Sequence, residues 1–209
     1  IETVGVDLWD EGNNASLAVD PAGGVHVGYT RYGDFNGPFG VAVRYAYRNP
    51  AGVWTTASVV EGGQFGYTSI DADGAGGAYL AFYAANETSL RLAHLPAGAV
   101  ETVDDGGASP SLRHQVGEFA SLDVDSAGGV HIAYYDRSAG DLKYAYRSAP
   151  ADPWTLTIVD RPEDPDSSDA GLYASLVADP WGGVHIGYYT TVTVGARTER
   201  GFNYAYRCP

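Results

Sequence analysis

Four copies of one short signature run through this chain, and their spacing constrains the fold more than any other feature. Ser-hydrophobic pairs stand at Ser16-Leu17, Ser69-Ile70, Ser121-Leu122 and Ser175-Leu176. The serines lie 53, 52 and 54 residues apart, and counting from Ser175 through Pro209 and on from Ile1 to Ser16 gives 50. The piece missing from the fourth repeat is therefore found at the start of the chain. Such an offset predicts a ring. Repeats of roughly 40–50 residues built from four short strands predict a β-propeller.

Repeat three shows the unit most plainly. Its strands are predicted at 119–125 (A), 129–136 (B), 141–147 (C) and 154–160 (D), rich in Val, Ile, Tyr and Thr and separated by Gly, Pro and Asp. No segment carries a helical period, so the chain reads as all-β. The A–B links, such as Asp20-Pro21-Ala22-Gly23 and Asp179-Pro180-Trp181-Gly182, place Asp, Pro and Gly where a type I turn wants them. The glycine that follows (Gly24, Gly77, Gly129, Gly183) is expected to form a bulge entering strand B. Ile1-Glu2-Thr3-Val4 matches strand D, as in Glu101-Thr102-Val103, whereas the chain ends on a strand-C pattern, Phe202-Asn-Tyr-Ala-Tyr-Arg. The expected architecture is one domain, 1–209, a four-bladed propeller of four-stranded blades. Its repeats are about 14–66, 67–118, 119–171, and 172–209 plus 1–13, with the N-terminal strand clasping the ring shut. Two chains forming an eight-bladed ring are the rival arrangement.

Each repeat also carries an aromatic pair. His26, His131 and His185 share one strand-B position with Tyr79. Tyr47, Tyr146 and Tyr206 share one strand-C position with His94. The exchange is reciprocal, and the hairpin midpoints let the two positions face each other, which predicts a structural His–Tyr pair in every blade rather than a metal or acid–base site. Arg48, Arg147 and Arg207 end strand C, where the turn aspartates Asp20, Asp125 and Asp179 are expected as partners.

The run Ser-Leu-x-Val-Asp-x-x-Gly-Gly-Val-His-Ile-x-Tyr-Tyr resembles the blades of sialidase-like, Asp-box-type propellers of bacterial secreted proteins. The resemblance takes in all four repeats and implies architecture, an extracellular or cell-surface location and a bacterial source. An Asp box reads Ser-x-Asp-x-Gly-x-x-Trp; Ser121-Leu-Asp-Val-Asp-Ser-Ala-Gly spaces related residues differently. No Arg-Ile-Pro and no arginine triad is found, so the family's catalysis is not carried over.

The formal net charge is −14, from 26 acidic and 12 basic residues. That excludes nucleic acid as the expected partner, since phosphate backbones need a cationic surface. No apolar run approaches the ~18 residues of a membrane span. The absence of Met and the start at Ile1 suggest a processed or trimmed form. Cys208, the single cysteine, is expected to be a free thiol. The sequons at Asn14 and Asn86 are read as chance. The acidic run Glu163-Asp-Pro-Asp-Ser-Ser-Asp169 is a solvated loop or, as the lesser reading, a weak Ca²⁺ site; otherwise no cofactor or metal is expected.

Departures from symmetry point to the candidate site. The strand-B position and its strand-C partner are 21, 15, 15 and 21 residues apart in repeats one to four, so repeats one and four have long B–C loops, expected side by side across the ring closure. Loop one offers Arg31, Tyr32, Asp34 and Phe35, and loop four Arg197, Glu199 and Arg200. The D–A loops add Asn14, Tyr67, Phe119 and Tyr173 at the central funnel. Aromatic faces with Arg, Asn and Asp suit a sugar or a peptide segment. The leading expectation is a non-enzymatic, monomeric binding module for a glycan or an extracellular protein. The alternatives are a carbohydrate-active enzyme, a glycoside hydrolase using Asp34 and Glu199 or a polysaccharide lyase, and a structural repeat unit of a larger surface protein.

Overall fold

The computed structural model describes residues 1–4, 10–33, 41–107, 113–162 and 168–207. Among the described residues the chain is all-β, fifteen strands in four antiparallel up-and-down sheets. Blade one holds β1 (Asp10–Val19), β2 (Val25–Tyr32), β3 (Val41–Arg48) and β4 (Trp54–Gly63). Blade two holds β5 (Phe65–Ala72), β6 (Ala78–Ala84), β7 (Ser89–Leu95) and β8 (Ala99–Asp104). Blade three holds β9 (Val116–Val124), β10 (Val130–Asp136), β11 (Asp141–Arg147) and β12 (Thr155–Asp160). Blade four holds β13 (Ser168–Ala178), β14 (Val184–Val194) and β15 (Arg197–Arg207).

The blades pack face to face through three separate cores. Tyr45 and Val43 of blade one meet Ile70 and Leu80 of blade two. Leu90 and Leu92 of blade two meet Leu122 and Ile132 of blade three. Leu142 and Tyr144 of blade three meet Leu176 and Ile186 of blade four. Alternation along each middle strand makes this possible: Ile132 and Tyr134 face one neighbour and Ala133 the other.

The Ser-hydrophobic signature has a direct structural cause. Ser16 Oγ accepts a hydrogen bond from Ile70 N (3.2 Å), Ser69 Oγ from Leu122 N (2.9 Å) and Ser121 Oγ from Leu176 N (2.9 Å). Each serine thus ties its innermost strand to the hydrophobic residue of the next blade, and the packing of innermost strands runs β1–β5–β9–β13.

Two expectations about closure are not met among the described residues. Residues 1–4 join no sheet, and the fourth sheet has three strands. Glu2 lies instead against blade one, where its carboxylate accepts from Arg48 Nε (2.9 Å) and Nη2 (3.0 Å) and from Trp54 Nε1 (2.7 Å). The third strands of blades one, three and four therefore end on an arginine with a partner other than the turn aspartate, since Arg147 pairs with Glu101 (2.7 Å) and Arg207 stacks on Tyr144.

The turn aspartates are occupied by their own loops. Asp125 Oδ1 accepts from Ala127 N and Gly129 N, both at 2.8 Å, and the other three turns repeat the pattern. The second glycine of the turn forms no bulge, because the ladder is regular there. It is glycine because a Cβ at Gly129 would fall 2.5 Å from Asp125 Oδ2.

The predicted cross-strand register is found: His26 faces Tyr47, Tyr79 faces His94, His131 faces Tyr146 and His185 faces Tyr206. The hydrogen bond goes elsewhere, however. His131 Nδ1 bonds the hydroxyl of Tyr144 (2.6 Å), two residues back on the same strand, and Nε2 bonds Asp125 (3.0 Å), with the Tyr146 ring packed against the imidazole. His26 with Asp20 and Tyr45, and His185 with Asp179 and Tyr204, repeat the arrangement.

Candidate functional site

The innermost strand of every blade is interrupted at the same place. Its ladder slips between Asn13 and Ser16, Gly66 and Ser69, Glu118 and Ser121, and Leu172 and Ser175. Within each slip one residue takes a left-handed backbone: Asn14 (φ 50°), Tyr67 (53°), Phe119 (53°) and Tyr173 (53°). Tyr and Phe rarely adopt this conformation, and Asn tolerates it best. Bulges of this kind turn a side chain out of its normal alternation and concentrate at binding sites.

The result is a row of side chains lining one pocket of about 300 Å³, made by Asn14, Tyr67, Phe119, Tyr173 and the residue after each. The Tyr67, Phe119 and Tyr173 rings follow one another at 4.5 Å between centroids, tilted by 52° and 53°. Behind each stands a strand-B aromatic, Tyr83 beside Tyr67, Tyr135 beside Phe119 and Tyr189 beside Tyr173, at 6.4, 6.1 and 6.2 Å. Blade one replaces this double layer with polar groups: Asn14 Nδ2 donates to Thr30 Oγ1 (3.3 Å) and to the Tyr32 hydroxyl (3.5 Å). Asn14, Tyr32, Tyr67 and Tyr83 also border a second pocket of about 370 Å³ between blades one and two.

Sequence reasoning missed Tyr83, Tyr135 and Tyr189. Their signal is the fourth residue after Tyr79, His131 and His185, where blade one has Thr30. Burial pushes the hydroxyls of Tyr67 and Tyr83 above their ordinary pKa, with Glu118 adding to it, and burial with Asp169 raises Tyr135 further. These phenols stay protonated at neutral pH and act as hydrogen-bonding groups rather than as bases.

Arg31, Arg197, Glu199 and Arg200 do not line this pocket. Arg31 is buried, its guanidinium 4.0 Å from Glu61. Arg197, Glu199 and Arg200 sit on the β14–β15 hairpin, exposed, with Arg197 and Glu199 paired to each other at 3.5 Å. Asp34 and Phe35 lie outside the described residues, as do Cys208 and most of the acidic run starting at Glu163. Most of loop one lies outside the described residues, so the expected pairing of the two long loops does too. Among the described residues no group of three or more His, Cys, Asp or Glu is arranged to hold a metal ion. No helix there is long and apolar enough to cross a membrane.

No family model and no curated protein matches the sequence. Solved structures do. The endo-arabinase from Bacteroides thetaiotaomicron aligns over 92% of this chain and 74% of its own, at 12% identity and a TM-score of 0.56. A leech intramolecular trans-sialidase aligns over 87% of this chain and 49% of its own, at 10% identity and 0.61. The GH93 α-L-arabinofuranosidase of Fusarium graminearum aligns over 93% and 61%, at 13% identity and 0.56. The likeness is one of fold. The four blades of this chain thus correspond to about half to three-quarters of each of those chains.

Proposed function

We propose that this chain is a glycan-binding module whose ligand enters the central funnel. The observation that carries this reading is the repeated left-handed bulge, which sets Tyr67, Phe119 and Tyr173 in a contiguous aromatic row and ends it with the polar pair Asn14 and Thr30. Tilted aromatic faces suit the C–H faces of sugar rings. Asn14, Tyr32 and Tyr83 supply donors and acceptors for hydroxyl groups. The fold likeness to an arabinase, a trans-sialidase and an arabinofuranosidase supports a carbohydrate ligand.

That same likeness is also the ground for the second reading, a carbohydrate-active enzyme. A hydrolase needs two carboxylates about 5–10 Å apart at the cleft. Glu199, one of the two nominated, is exposed on a hairpin and paired with Arg197. A lyase needs a free imidazole or phenol base, whereas the strand-B histidines are held between an aspartate and a tyrosine. Binding is therefore the better-supported reading.

A glycan array probed with the purified chain, with and without Ca²⁺, tests it. Tyr67→Ala, Phe119→Ala and Tyr173→Ala are each expected to weaken a hit by about tenfold, or ~1.4 kcal/mol, while Arg197→Ala leaves it unchanged. Hits insensitive to all three aromatic substitutions rule the funnel out. A blank array followed by capture of a peptide ligand at the same residues moves the site to protein recognition.

A further inference from the structure

The three internal interfaces repeat one design, and each end of the four-blade row presents half of it. On blade four, Tyr204 occupies the position of Tyr45 and Tyr144; those two are 6% and 3% exposed beneath the next blade, and Tyr204 is 59% exposed. On blade one, Leu17 occupies the position of Ile70, Leu122 and Leu176. These are 4%, 6% and 8% exposed against the preceding blade, and Leu17 is 63% exposed. Ser175, the fourth member of the serine series, is exposed, and the residue its hydroxyl would take by the repeat rule is Leu17 N.

Two further observations say what fits these faces. Tyr134 and Tyr188 each donate to an aspartate at the end of the preceding blade's fourth strand, Asp104 (2.7 Å) and Asp160 (2.6 Å). Tyr29, in the same position on blade one, is 5% exposed with its hydroxyl unpartnered among the described residues. In addition, Glu2 holds Arg48 as Glu101 of β8 holds the next blade's Arg147. Residues 1–4 therefore lie on blade one as the fourth strand of a preceding blade would. The fitting neighbour is a blade with three strands and an open edge beside β15, which is blade four.

Because among the described residues the outer faces of blades one and four stay exposed in one chain, we infer that the occupant is a second copy of this chain: blade four of one copy packs on blade one of another, and residues 1–4 of the latter complete the sheet that β15 leaves open. The contact is head-to-tail, so it closes into a ring when the rotation permits. The Tyr204–Leu17 contact and the Ser175 to Leu17 N hydrogen bond become the fourth instance of an interface the chain already makes three times.

Sedimentation velocity of the whole chain across a concentration series, with Leu17→Asp and Tyr204→Asp variants, is the test. The parent is expected to associate, and each variant to weaken association by about tenfold or more, with an unchanged far-UV circular dichroism spectrum because both side chains are exposed. Mixing the two variants restores association, since the intact Leu17 of one meets the intact Tyr204 of the other. A parent that stays monomeric throughout, variants that associate like the parent, or a mixture that fails to recover the interaction overturns the inference.

Discussion

Asp123 shows how far a single side chain here departs from its solution behaviour. Burial pushes its carboxyl from 3.8 to about 6, and the neighbouring carboxyl of Asp71 adds to the rise against the opposing hydrogen bond from Ala178 N. A carboxyl whose folded-state pKa is raised favours folding most when protonated. Its contribution is therefore present below about pH 4 and is lost as the pH climbs to about 6. The turn aspartates work in the opposite direction. At Asp125 burial opposes ionisation, but His131 and the turn amides outweigh it and hold the pKa below its ordinary value, so its contribution is lost only as the pH falls below about 4. Asp123→Asn keeps an acceptor for Ala178 N and removes the charge. It is expected to stabilise the chain at pH 7 by on the order of 1–3 kcal/mol and to have no such effect at pH 4. Urea denaturation of both proteins at the two pH values checks this; equal differences at both would assign the gain to packing instead.

At the scale of strands and turns, much of the structure was legible in the residues. Period-2 alternation and Asp/Gly turns located the strands, and the reciprocal His94–Tyr79 exchange set the B–C register correctly. The sequence did not disclose that the imidazole bonds the diagonal Tyr144 rather than the opposite Tyr146, because both phenols lie within reach of one ring and only its rotation decides. The funnel was half legible. Asn14, Tyr67, Phe119 and Tyr173 were recognisable as residues of the D–A loops, but Tyr83, Tyr135 and Tyr189 were not, because a one-residue slip in the inner strand changes which strand-B side chain it meets.

The serine ties give this scale its own predictions. Ser69→Ala strands Leu122 N in a partly buried interface and is expected to cost about 1–3 kcal/mol. Leu122→Ala is expected to cost about 2–5 kcal/mol, as cavities in packed cores do. Leu17→Ala, at the equivalent position on the uncovered end, costs less than about 0.5 kcal/mol in dilute solution. Chemical denaturation at low protein concentration measures all three, and a Leu17 cost equal to that of Leu122 would mean the end face is already covered in the single chain.

For the whole molecule, the spacing of the serines led to a ring closed within one chain, while the described residues leave the first and last blades apart. Repeat spacing counts residues per blade; it carries no information on the angle between blades, which three separate cores set together. The role of residues 1–4 decides between the two arrangements. If they complete blade four of a second copy, their removal eliminates a bimolecular contact besides the exposed Glu2 bonds to Arg48 and Trp54 within the chain, and an associating fold gains stability with concentration by mass action. The midpoint of thermal unfolding is then expected to rise with concentration for the parent and to rise less for a chain lacking residues 1–4, the two differing at high dilution only by the small cost of the exposed Glu2 bonds to Arg48 and Trp54. A thermal denaturation series across the concentration range reads this directly. A deletion that lowers the midpoint by the same amount at every concentration would place these residues in the fold of a single chain, as the clasp the repeat spacing predicts, and the partner of Tyr204 would then be the chain's own Leu17.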